Sequence, residues 1–119
     1  MLTIYGIKNC DTMKKAFTWL DEHKLKYHFH DYRKDGIDAT LLSNWVGRVG
    51  WQIVINKRST TWRTLPGEDK SDIDDEKAVA LMLQNPTLIK RPVLIDSKTN
   101  EMLVGFSEKN YSSTIKTGE

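Results

Sequence analysis

The sequence predicts an α/β protein with a mixed sheet, ordered strand-helix-strand, then a block of helices, then strand-strand-helix. Three observations predict it. A short apolar run, Leu2 to Tyr5, precedes apolar residues at helical spacing (Met13, Ala16, Phe17, Leu20) and an aromatic, weakly alternating run from Tyr27 to Tyr32, which is the order of a β-α-β unit. Between Asp38 and Leu83 the patterns that can be read are helical. From Val93 two short apolar runs, Val93 to Ile95 and Met102 to Val104, flank a polar turn, as in a hairpin.

Taken in order, Gly6 to Asn9 form the turn out of the first strand, and the apolar stripe that follows carries the first helix to Leu20. Glu22 to Lys26 is a polar connection, and the strand after it should pair parallel to the first through a right-handed crossover. Arg33 to Gly36 is a turn. Asp38 caps a helix with Leu41, Leu42, Trp45, Val46 and Val49 on one face, and Gly50 stops it. Trp51 to Ile55 fits either a helical turn or a strand, because periodicity does not decide over so few residues. Pro66 to Lys70 is expected as a loop. Ser71, Asp72, Asp74 and Asp75 supply caps and compatible charge for a helix through Ala78, Val79, Met82 and Leu83, ended by Asn85-Pro86. Ser107 caps a last helix through Tyr111 and Ile115, and residues 116–119 are expected to fray.

The chain of 119 residues suits one domain, with a helical insertion over about residues 38–85. Its net charge of +2 is spread along the chain, which argues against nucleic acid or an anionic membrane as partner. There is no apolar signal segment before Lys8 and Asp11, and no run near the ~18 apolar residues of a membrane span. A single cysteine, Cys10, excludes an internal disulfide, and a cytoplasmic location, where thiols stay reduced, follows as the expectation.

Cys10 lies where a strand hands over to a helix. Unpaired N–H groups and the positive end of the helix dipole favour an anion there, so the thiolate is the form this setting selects and the better nucleophile. Lys8, Lys14 and Lys15 add positive charge, while Asp11 opposes it. A lone cysteine is more often a small buried hydrophobe, but Cys10 is flanked by Lys-Asn and Asp-Thr and precedes the apolar stripe. His28 and His30, two apart on a strand, lack a second ligand cluster, so no metal is expected. Trp19, Trp45, Trp51 and Trp62 read as packing, with no basic stripe to make them stacking platforms.

The order of elements, the lone N-terminal cysteine and Lys90-Arg91-Pro92-Val93 at the third strand resemble the ArsC family of thioredoxin-like proteins, which includes arsenate reductases, Spx regulators and YffB-type glutathione-dependent thiol reductases. Tyr5-Gly-Ile-Lys-Asn-Cys-Asp-Thr12, Phe29-His-Asp-Tyr-Arg33, Thr60-Thr-Trp-Arg63 and Leu103-Val-Gly-Phe-Ser107 are most similar to the last set. The resemblance covers nearly the whole chain. It implies a thioredoxin-like fold, Cys10 as nucleophile toward a thiol or oxyanion substrate, and Arg91 as the arginine that binds an anion beside the thiolate. It also implies a cis proline at Pro92. Asn9, Thr12, Lys14 and Arg58 complete the implied substrate-binding set, with Lys57 or Arg63 as alternatives to Arg58. Two departures matter. Arsenate reductases carry a further arginine where this chain reads Gly105-Phe-Ser107, and Spx proteins carry Cys-x-x-Cys where it reads Cys10-Asp-Thr-Met13. With one cysteine, any mixed disulfide must be resolved by an outside thiol, glutathione or glutaredoxin. The implied function is a glutathione-dependent thiol reductase with no bound cofactor. The alternatives are arsenate reduction and a non-catalytic Spx-like module that docks on RNA polymerase.

Overall fold

A computed structural model describes residues 2–115, so the expectation for residues 116–119 lies outside the described residues. Contacts divide the described residues into two compact units, one formed by residues 2–36 with 91–115 and the other by residues 37–90.

The first unit holds a four-stranded mixed sheet in the order β2-β1-β3-β4, made of β1 (Leu2–Gly6), β2 (Tyr27–Asp31), β3 (Val93–Asp96) and β4 (Glu101–Val104). β1 pairs parallel with β2 and antiparallel with β3, and β3 pairs antiparallel with β4, so the expected parallel pair and hairpin are both present. The parallel pair needs a crossover, which α1 (Asp11–Glu22) supplies. Alternation along the strands sends Leu2, Ile4 and Leu94 to one face, where they form a core with Met13, Ala16, Trp19 and Leu20 of α1. Tyr111 of the C-terminal helix (Glu108–Thr114) and Ile115 complete it. That helix is capped as expected, the Ser107 hydroxyl accepting from the Asn110 N–H. Phe17, expected in the buried stripe, is half-buried and meets Phe29 edge to face at 5.1 Å between ring centroids.

The second unit is helical, with α2 (Ala39–Val49), α3 (Trp51–Val54), α4 (Thr60–Thr64), α5 (Gly67–Lys70) and α6 (Asp75–Gln84) followed by a 3-10 turn at Pro86–Leu88. The C-terminal helix of the first unit is therefore α7. Asp38 and Asp74 cap α2 and α6, their carboxylates accepting from Leu41 and Lys77 N–H at 2.8 Å each. Trp51 to Val54 resolves as a helical turn, while Ile55 bridges to Ile89 in extended form. The loop expected at Pro66 to Lys70 is instead a turn of helix over Gly67–Lys70, and Leu81, not Leu83, is buried on α6. The reason is that α6 packs on α2, which selects Ala78, Val79, Leu81 and Met82 and leaves Leu83 38% exposed. Among the described residues, no helix is long and apolar enough to cross a membrane.

Candidate functional site

Cys10 is the N-cap residue of α1, with extended backbone (φ −145°, ψ 128°), and its carbonyl accepts the first helical hydrogen bond from Lys14 N–H at 3.0 Å. Its side chain makes no capping hydrogen bond. Serine, threonine, aspartate or asparagine at this position would normally satisfy an N–H of the first turn. A thiol there leaves those donors, and the positive end of the dipole, directed at whatever lies beside the sulfur. The residue is half-buried and packs against the sheet core.

The register brings Arg91 to the same end of the sheet. Tyr5 pairs with Val93 in the antiparallel β1–β3 ladder, so continuing that ladder sets Pro92 opposite Gly6, where the chain leaves β1 for the Cys10 loop. The Arg91–Pro92 peptide is cis, as the resemblance implied, Pro92 is buried, and its carbonyl accepts from Gly105 N–H at 2.8 Å. Gly105 has φ +81°, a left-handed conformation that disfavours an arginine there. The C-terminal ends of β1, β2 and β4 and the start of β3 thus gather at one edge, the edge at which α/β sheets present ligands.

Arg91 is half-buried and lies close enough to Tyr32 to act on it electrostatically. Burial pushes the Tyr32 phenol far above its ordinary range, Arg91 pulls it partly back, and Tyr5 adds a smaller upward push. Tyr32 is fixed by its own N–H, which donates to the Gly6 carbonyl at 2.8 Å. From the sequence Tyr32 is only the end of a strand, since nothing local relates it to Arg91.

Of the other expected site residues, Asn9 is exposed on the loop, Thr12 is half-buried in the first turn of α1, and Lys14 is exposed on the same turn. Arg58 belongs to the second unit, exposed in the connection before α4, where its backbone N–H donates to the Asn56 side chain at 3.0 Å. Lys57 and Arg63, the alternatives, are in that unit too. Lys57 stands over the Trp51 ring, 5.2 Å from its centroid, and Arg63 is exposed on α4. His28 is exposed, and His30 Nε2 lies 2.8 Å from the Gly36 carbonyl with its ring 4.9 Å from that of Tyr5.

The model of the ArsC family matches residues 5–114. The YFFB (PA3664) protein has a solved structure 49% identical, with a TM-score of 0.90, covering 98% of this chain and 100% of that one. An arsenate reductase (ArsC) related protein from Brucella melitensis is 45% identical with a TM-score of 0.77, covering 97% and 94%. The global transcriptional regulator Spx 2 of Lactococcus lactis subsp. lactis is 31% identical over 97% of this chain and 86% of its own. With its thioredoxin-like α/β fold and a match along nearly its whole length, the chain belongs to the ArsC family.

Proposed function

We propose that this protein is a glutathione-dependent thiol–disulfide reductase in which Cys10 is the nucleophile. The observation that carries the reading is the placement of an uncapped thiol at the N-terminus of α1, at the sheet edge that also holds Arg91 and the cis Pro92. In the first step the Cys10 thiolate attacks one sulfur of a substrate disulfide. A Cys10–sulfur bond forms, the substrate sulfur–sulfur bond breaks, and the leaving sulfur departs as a thiolate that takes a proton from water. A glutathione thiolate then attacks the Cys10 sulfur of that mixed disulfide, releasing the rest of the substrate as a second thiolate and leaving Cys10 bonded to glutathione. A second glutathione thiolate attacks the glutathione sulfur, releasing the Cys10 thiolate and glutathione disulfide. The two electrons come from two glutathione molecules, which end as glutathione disulfide. First-turn N–H groups and Arg91 stabilise negative charge on Cys10 or on the leaving sulfur, and Thr12 donates a hydrogen bond at the same turn. Glutaredoxin serves as an alternative resolving thiol, and the cytoplasm is the compartment that keeps both reduced.

The test is turnover of a glutathione mixed disulfide in the presence of glutathione. Wild-type protein should catalyse it and Cys10→Ser should not, and equal turnover by the two would refute the enzyme. A second reading, a binding module acting on RNA polymerase, is favoured by the Spx relative. Co-purification with polymerase that survives Cys10→Ser would support it. The chain carries Met13 where a disulfide switch would need a second cysteine, which weighs against that reading. Arsenate reduction is decided by whether arsenate is consumed with glutathione and glutaredoxin present.

A further inference from the structure

A groove of about 480 Å³ opens beside the Cys10 loop, lined by Lys8, Phe29, Asp31, Arg33, Lys34 and Asp35. Lys8 is two residues before Cys10, and Asp31 pairs with Gly6, the last residue of β1, so the groove begins where the active-site loop does. The volume is of the size that takes a small molecule. The two signs of charge in this wall are used differently. Asp35 Oδ2 accepts from Asp31 N–H at 3.0 Å and Asp31 Oδ1 accepts from Arg33 N–H at 2.9 Å, so both carboxylates are partly spent on holding the turn after β2. The side chains of Lys8, Arg33 and Lys34 make no ion pair among the described residues. Half-buried Phe29 supplies an apolar surface below them.

From this we infer that the groove is a carboxylate subsite, which holds an acid group carried by the small thiol or disulfide that exchanges with Cys10. Three cations with no ion pair among the described residues call for an anion, and the guanidinium of Arg33 offers a planar fork to one. The neighbouring carboxylates of Asp31 and Asp35 make a doubly charged phosphate a worse occupant than a singly charged carboxylate. The subsite deepens the proposed reductase function and depends on Cys10 exchanging disulfides.

The experiment follows Cys10 mixed-disulfide formation by mass spectrometry with three small disulfides that differ in their ends: 3,3′-dithiodipropionate, bis(2-hydroxyethyl) disulfide and cystamine. Wild-type protein should react about fivefold or more faster with the acid than with the amine, the scale of one or two partly screened charge contacts. In Arg33→Gln/Lys34→Gln that ratio should fall at least about twofold while the rate with the neutral disulfide is kept, which shows an intact fold and nucleophile. A smaller fall overturns the subsite. Reaction with none of the three is failure of the reductase reading, and the subsite is then decided by an NMR titration with S-methylglutathione, which cannot exchange. Saturable shifts at the Lys8, Phe29, Arg33 and Lys34 amides, absent with its diethyl ester, support the subsite. No shifts there, or equal shifts with the ester, overturn it. An acidic tetrapeptide without sulfur that shifts the same amides more strongly than S-methylglutathione overturns the small-thiol source.

Discussion

The thioether of Met13 occupies the space that a side chain on Gly6 would need: its Sδ and Cε both lie where a Cβ would be. Gly6 ends β1 and Met13 is fully buried in the first turn of α1, so this contact joins the two elements on either side of Cys10. The missing Cβ thereby helps set the depth at which the helix N-terminus, and the thiol on it, meets the sheet. It also gives Met13, three residues after Cys10, a packing role.

Gly6→Ala should therefore force Met13 out of its site and cost about 1–3 kcal/mol, the usual penalty for overpacking. Urea unfolding is the measurement. A change below about 0.5 kcal/mol would mean that Met13 repacks freely and does not fix the helix.

Tyr111 is fully buried, stacked edge to face with Trp19 and Phe106, and its hydroxyl oxygen has no hydrogen-bond partner among the described residues. Removing that oxygen relieves a desolvated polar group and keeps the ring contacts. Tyr111→Phe should raise stability by about 1 kcal/mol, seen as a melting temperature several degrees higher. A loss of stability would show that the hydroxyl contributes to the fold.

Tyr32 makes stability depend on pH in the alkaline range. Its folded pKa is raised above the ordinary value of 10.0, chiefly by burial. Below pH 10 the phenol is neutral in both states and its contribution is fully present. Above it the unfolded chain ionises first, so unfolding releases a proton and stability falls by up to ~1.4 kcal/mol per pH unit. Tyr32→Phe should remove that share of the slope between about pH 10 and 11 in denaturant titrations. An unchanged slope would show that Tyr32 ionises equally in both states.

Much of this site was legible in the sequence because its signals are local. Asp38, Asp74 and Ser107 cap the helices they precede, and Cys10 stands at the strand-to-helix junction that periodicity alone located. The electrostatic influence of Arg91 on Tyr32 and the groove between Lys8 and the turn after β2 were not legible, since each depends on sheet register. Short apolar runs were the other weak point. Trp51 to Ile55 fits two periods, and the burial of Leu81 over Leu83 is set by the face of α6 that α2 covers. Arg58 came from family likeness alone, and it lies on the helical unit, inside the insertion expected over about residues 38–85.

The central claim is that Cys10 is a nucleophile made reactive by its place at the N-terminus of α1 and by Arg91 at the same sheet edge. It is tested most directly by the rate of iodoacetamide alkylation at pH 7 in the folded protein, in the same protein unfolded in urea, and in folded Arg91→Ala. Folded wild-type protein should react about tenfold or more faster than the unfolded chain, and Arg91→Ala should lose a large part of that advantage. A folded rate equal to or below the unfolded one would contradict the account and leave Cys10 as a packed, inert thiol.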